Sequence, residues 1–206
     1  TQYGGSRVKG LFALAVVGTA LVSVEAQAQW IAPARSAVGE SKPIIDIRVR
    51  TESVDQSGMA HDAAANTLRG RFGFETGRAW NTSFIAEADL LWNYGDNFNS
   101  TVNGHAAWPI VADPRTHEIN RFQLMNSSIP GTTLVLGRQR IVLDDQRFVA
   151  NVGWRQNEQT FDAVRVTNRS ITNLTMDVAY LGRINRVFGR ESPVGHYKGD
   201  NYVANV

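Results

Sequence analysis

From Ile45 the chain alternates apolar and charged residues at every step. In Ile45-Asp46-Ile47-Arg48-Val49-Arg50 the isoleucines and valine fall on one parity, and Asp46, Arg48, Arg50 and Glu52 on the other. Successive side chains of a strand point to opposite faces, so this is the pattern of a strand with one oily and one ionised face. It repeats over 68–75, where Leu68, Gly70, Phe72 and Phe74 oppose Arg69, Arg71, Gly73 and Glu75. A third strand, 82–94, places Phe84, Ala86, Ala88, Leu90, Trp92 and Tyr94 together. Ser83, Glu87, Asp89 and Asn93 lie opposite, with Ile85 and Leu91 as exceptions. Further strands are predicted over 120–126, 132–141, 160–168 and 174–183, and the tail carries the start of an eighth. The connections at Gly77-Arg78, Pro130-Gly131 and Arg169-Ser170 are short. Those over 95–118 and 142–159, and the tail, are long.

Short turns at one end, long loops at the other and aromatics at strand ends are the signature of an outer-membrane barrel. The expected fold class is all-β, an antiparallel transmembrane β-barrel, seen here in part. A soluble β-sandwich would alternate in the same way, with its apolar face buried against a second sheet. Parity over 132–141 and 160–168 is ambiguous. If Arg138 and Arg140 face inward, Leu134 and Leu136 do so too unless a bulge intervenes. Charge on a lipid face near the midplane costs ~2–4 kcal/mol, which favours the arginines inward.

The ends add a compartment. Arg7 and Lys9 precede an apolar run, residues 11–24, and Ala26-Gln27-Ala28 follows as an A-x-A site. This is a secretory signal peptide, residues 1–28, and the run is short of the roughly 20 residues a spanning helix needs. Residues 29–41, with Pro33 and Gly39, read as an irregular periplasmic leader, and 42–206 as the barrel portion. There is no cysteine, which excludes disulfides and Cys-based metal sites. Net charge is +2 overall; removing Arg7, Lys9 and Glu25 leaves +1. So balanced a chain is a poor candidate for nucleic acid, whose binders carry a strong basic excess.

The candidate chemistry concentrates in 137–166. Arg138, Arg140, Arg147 and Arg155 stand among Asp144, Asp145 and Glu158, with Phe148, Trp154 and several amides. Guanidinium groups bind carboxylates through paired hydrogen bonds, so these arginines form a candidate cationic ladder in a constriction, steadied by the three acids. The bland reading is a self-neutralised patch that only packs the loop. Arg48, Arg50, Arg69, Arg71, Arg165 and Arg183 are lumen candidates by parity alone. Enzyme readings are weak. Asp144-Asp145 are neighbours on one turn and poorly placed to converge on a glycosidic bond. No G-x-S-x-G elbow occurs, and the four histidines lack metal-ligand spacing. No cofactor is expected.

The stretch GRQRIVLDDQRFVANVGWRQNEQTFDAVRV, with YGDNFNSTVNGHAAWPIVADPRTHEINRFQL before it and INRVFGRESPVGHYKGDNYVANV after it, resembles the alginate-export family of bacterial outer-membrane barrels. The resemblance covers about residues 40–206. It implies a monomeric, substrate-specific porin with an arginine- and acid-lined lumen, whose partners are outer-membrane lipid and an anionic or polar solute, such as an alginate-like polysaccharide. Family barrels are about twice this length with many more strands, so the chain is expected to be the N-terminal part of a larger barrel. A secreted carbohydrate-binding sandwich is the rival reading, and a barrel hydrolase a third that lacks a nucleophile with its base. Intact-mass analysis of exported protein is expected to show Gln29 as the first residue; retention of residues 1–28 would refute the cleavage site.

Overall fold

A computed structural model describes Gln29 and residues 31–206. The signal-peptide expectation, residues 1–28, lies outside the described residues. Eight strands run in sequence: β1 (Lys42–Val54), β2 (Ala63–Glu75), β3 (Thr82–Asn93), β4 (Thr116–Asn126), β5 (Thr132–Gln139), β6 (Thr160–Asn168), β7 (Met176–Asn185) and β8 (His196–Asn205). They form one antiparallel sheet in the order β1-β2-β3-β4-β5-β6-β7-β8. The tail carries a ten-residue eighth strand where the start of one was expected. A meander of sequential hairpins is the connectivity of an up-and-down barrel. Among the described residues there is no second sheet, so the sandwich alternative loses the partner its apolar face requires.

The two faces carry opposite chemistry, and burial is inverted relative to a protein in water. Long loops fold over one face, here called inner. It buries Arg69, Arg71, Glu87, Asp89 and Asp177, each under 10% exposed. The open outer face presents Ile45, Ile47, Val49, Phe72, Phe74, Leu90, Trp92, Phe122 and Leu124, all between 41% and 74% exposed. Ile85 and Leu91, the sequence exceptions, lie on the inner face at 5% and 3%. They pack beneath loops instead of breaking the alternation. Outer aromatics touch across strands: Phe84 meets Phe122 edge-on at 5.0 Å and Phe74 at 6.0 Å. Trp92 lies at the long-loop end, with the Arg115 guanidinium 3.4 Å over its ring. Cation and aromatic together suit the boundary between an apolar band and a polar layer.

Two local expectations change. The β2–β3 reversal falls at Trp80-Asn81, both at positive φ (50° and 56°), inside a reciprocal Ala79–Thr82 backbone pair, not at Gly77-Arg78. Consecutive positive φ values make the tight turn that matches strand twist. Residues 31–39 are helical rather than irregular. Gly39 closes the C-terminal end, so one apparent breaker is a terminus signal. The helix rests on the β2–β3 connection: the Gly77 N–H donates to the Ala37 carbonyl at 2.8 Å. A Cβ at Gly77 would lie 2.7 Å from Glu40, so only glycine admits this approach.

The outer face fixes a measurable consequence. Ala88 lies outward near the middle of β3, whereas Gln123 lies inward on β4. In lipid vesicles Ala88→Arg is expected to lower the unfolding free energy by ~2–4 kcal/mol and Gln123→Arg by about 1 kcal/mol or less. Equal costs in urea titrations would refute the assignment of faces.

Candidate functional site: the charged inner face

The inner wall is a lattice of ion pairs that knits strands to an inward loop. Arg71 of β2 binds Asp89 of β3 through two bonds of 2.7 Å and reaches Glu158 of the β5–β6 loop at 2.9 Å. Glu87 of β3 receives Arg121 of β4 at 2.6 Å and Arg140 of the loop at 2.7 Å. Asn120 donates to both Glu87, at 2.7 Å, and Glu158, at 2.5 Å. Asn120 and Arg121 are neighbours, yet both point inward. A bulge opposite Glu87 and Ala88 inserts the extra residue, which returns Ile119 and Phe122 to the outer face. Sequence parity alone gives no signal for this doubling.

Loop 140–159 lies against the inner face of β1 and β2. Gln156, fully buried, accepts from Arg48 Nε at 2.7 Å and donates to the Thr67 hydroxyl at 2.9 Å. Arg48 also donates to the Gly153 and Arg155 carbonyls. Arg155 pairs with Glu52 at 3.1 Å, and Arg50 donates to the Trp154 carbonyl at 2.8 Å. Loop 94–115 joins them through Asp113, whose Oδ1 accepts the Gln156 N–H at 2.8 Å. Burial raises the Asp113 carboxyl above the ordinary aspartate range, against the Gln156 N–H and the charges of Arg50 and Arg155. The ionised form is therefore the penalised one. That penalty acts above the raised pKa and is relieved as pH falls through it. The inner face is not polar throughout. Ile141, Phe161, Ala163, Ala179 and Leu181 form an apolar cluster under Leu143 and Val149, which seats the loop on β6 and β7.

The candidates from 137–166 do not form one ladder. Arg140 and Glu158 enter the inner lattice, and Arg155 enters the Glu52–Asp113 group. Arg147 and Asp145 are 71% and 65% exposed at the loop tip and meet only loosely at 3.5 Å. Asp144 accepts from Asn205 at 3.1 Å. Of the expected steadying acids, only Glu158 holds arginines of the lattice. Arg48, Arg69, Arg71 and Arg165 lie on the loop-covered inner face. Arg69 binds Asp46 at 2.6 Å, and Arg165 binds Asp177 at 2.5 Å.

Arg138 and Arg183 are outward, contrary to expectation. Leu136 pairs with Val164, and Arg138 pairs with Asp162, in unbroken register, so arginine and leucines share the outer face. Arg138 lies one residue from the end of β5 and is neutralised by Asp162 at 2.6 and 2.9 Å. Near the interface the cost of outward charge falls to ~0–1 kcal/mol, which removes the argument for turning it inward. For Arg183 a register shift after Leu181 inserts Gly182 and rotates the next side chain to the opposite face.

The strand order, inverted burial and inward loop define an all-β antiparallel meander of barrel type, seen over eight strands. The crystal structure of Acinetobacter baumannii OccAB1, an outer-membrane channel, is similar over 74% of this chain and 36% of that one, with TM-score 0.52 and 21% identity. The chain therefore spans about a third of that barrel's length. No protein-family model matches the chain, and no curated protein does.

Glu158→Gln leaves Arg71 and Arg140 short of a buried partner. Breaking such a pair costs ~3–5 kcal/mol. Limited proteolysis is expected to cleave 140–159 at least tenfold faster in this variant. An unchanged rate would contradict the docking.

Proposed function

We propose that the chain builds part of an outer-membrane diffusion channel for polar and anionic solutes. One observation carries the reading: ionised side chains are buried on one face and large apolar side chains are exposed on the other. That arrangement suits a wet lumen enclosed in hydrocarbon. The likeness to an outer-membrane channel supports both the location and the class of activity.

The lattice gives the channel its electrostatics. Nearly every inward arginine shares a carboxylate, so a passing solute meets alternating signs at short range rather than a bare cationic trap. Weak, closely spaced steps let a charged solute enter and leave, as conduction requires. Arg140 and Arg165 keep 26% and 20% of their side chains open, and so can exchange a protein carboxylate for a solute's in passing. An alginate-like polysaccharide, whose carboxylates repeat along the polymer, is the candidate the family resemblance suggests. Small carboxylates present the same group to the same arginines.

In planar bilayers the full-length barrel that contains this chain is expected to give ohmic current steps with anions more permeant than cations. Arg140→Gln with Arg165→Gln is expected to lower that ratio about twofold. Steps without anion preference would refute the selectivity, and no current at all would refute the channel.

A further inference from the structure

The outward arginines carry an inference beyond conduction. Paired positions run in one lateral row across four neighbouring strands: Arg138 on β5, Asp162 on β6, Arg183 on β7 and Lys198 on β8. Phe122 of β4 continues the row. All five lie at outer-face register positions, and the four charged ones are at the long-loop ends of their strands. One carboxylate stands among three cations, and Arg138 takes that carboxylate in a two-bond pair. Arg183 has no carboxylate within salt-bridge distance among the described residues, and its Nε is enclosed without a hydrogen-bond partner.

Above the row, the β7–β8 loop arches over the short ends of β5 and β6. There the Arg190 N–H donates to Glu118 at 2.7 Å, and among the described residues its guanidinium meets only the His117 ring, at 2.8 Å. Arg138, Arg183 and Arg190, with Glu118, Ile119 and Asn185, thus line a cleft of ≈ 180 Å³, and Glu118 is held by the Arg190 N–H. On the short-turn side of the row the next outer-face row is apolar, Leu124, Leu136 and Val164, 47%, 39% and 45% exposed. Cations above a bare apolar strip make an amphipathic site, and a free anion would use only half of it.

We propose that this cleft binds the phosphate of a lipid headgroup in the surrounding leaflet, with Arg183 and Arg190 as its ligands and the Leu124–Leu136–Val164 strip against the acyl chains. The inference rests on the membrane reading above. Guanidinium forks suit phosphate oxygens, and each arginine near a charged membrane surface contributes on the order of fivefold in affinity. Arg138 keeps its partner Asp162 and acts as the wall of the site.

Native mass spectrometry of the full chain, released from vesicles of phosphatidylcholine doped with bisphosphorylated lipid A, tests the site. Wild type is expected to retain one lipid A; Arg183→Gln with Arg190→Gln is expected to weaken retention more than tenfold. Arg190→Gln alone, in an exposed loop that tolerates change, is expected to weaken it about fivefold and guards against misfolding of the double variant. Equal retention by wild type and Arg190→Gln would overturn the proposal. Displacement of lipid A by millimolar inorganic phosphate would do so too, by showing that a free anion suffices. Conductance of the same samples separates the readings: current steps that persist while retention fails sink the lipid site alone, whereas a chain that leaves the vesicles without detergent sinks the membrane reading with it.

Discussion

The structure depends on one constraint: ionised groups that leave bulk water must find partners within the wall. Arg71, Glu87, Asp89 and Glu158 are almost fully enclosed, and the isolated burial of any of them would cost several kcal/mol. They persist because Arg71, Glu87 and Glu158 each meet two or more opposite charges or amide donors and Asp89 takes Arg71 through two bonds. The partners come from β2, β3, β4 and the 140–159 loop, so charge compensation is also what fastens the loop to the wall. In this fold electrostatics takes the place that apolar burial holds in a soluble sheet, and the apolar side chains are free to face outward.

That division of labour explains the bulges. The one opposite Glu87 delivers Asn120 and Arg121 to the same carboxylate while keeping Ile119 and Phe122 outside. The one after Leu181 keeps that leucine in the inner apolar cluster and sends Arg183 to the rim. Each bulge changes which face the next side chain serves without breaking the hydrogen-bonded wall.

The faces of β1, β2 and β3 were legible in the sequence because every residue of Ile45–Arg50 and nearly every residue of 82–94 obeys period two. Loop 140–159 was legible as a polar inward segment from its density of arginine and amide. Its partners were not: Arg71 and Glu87 belong to strands far away in sequence, and only the register of β2 to β4 brings them to Glu158 and Arg140. Arg183 was misplaced because one inserted glycine leaves no trace in a parity count. Arg138 was misplaced because a midplane cost was applied to a residue at a strand end. The helix over 31–39 leaves little trace in the sequence because Gly39 signals a break in a strand but an ordinary C-terminal end in a helix.

The most direct test is depth-resolved fluorescence on single-tryptophan variants in vesicles containing brominated phospholipid. With Phe72→Trp as sole fluorophore, emission is expected to be strongly quenched by the brominated chains and unaffected by iodide in the buffer. With Trp154 as sole fluorophore, on the inward loop, the reverse is expected. If iodide quenched position 72 and bromine reached Trp154, the ionised face would be the one against lipid, and the account would be wrong.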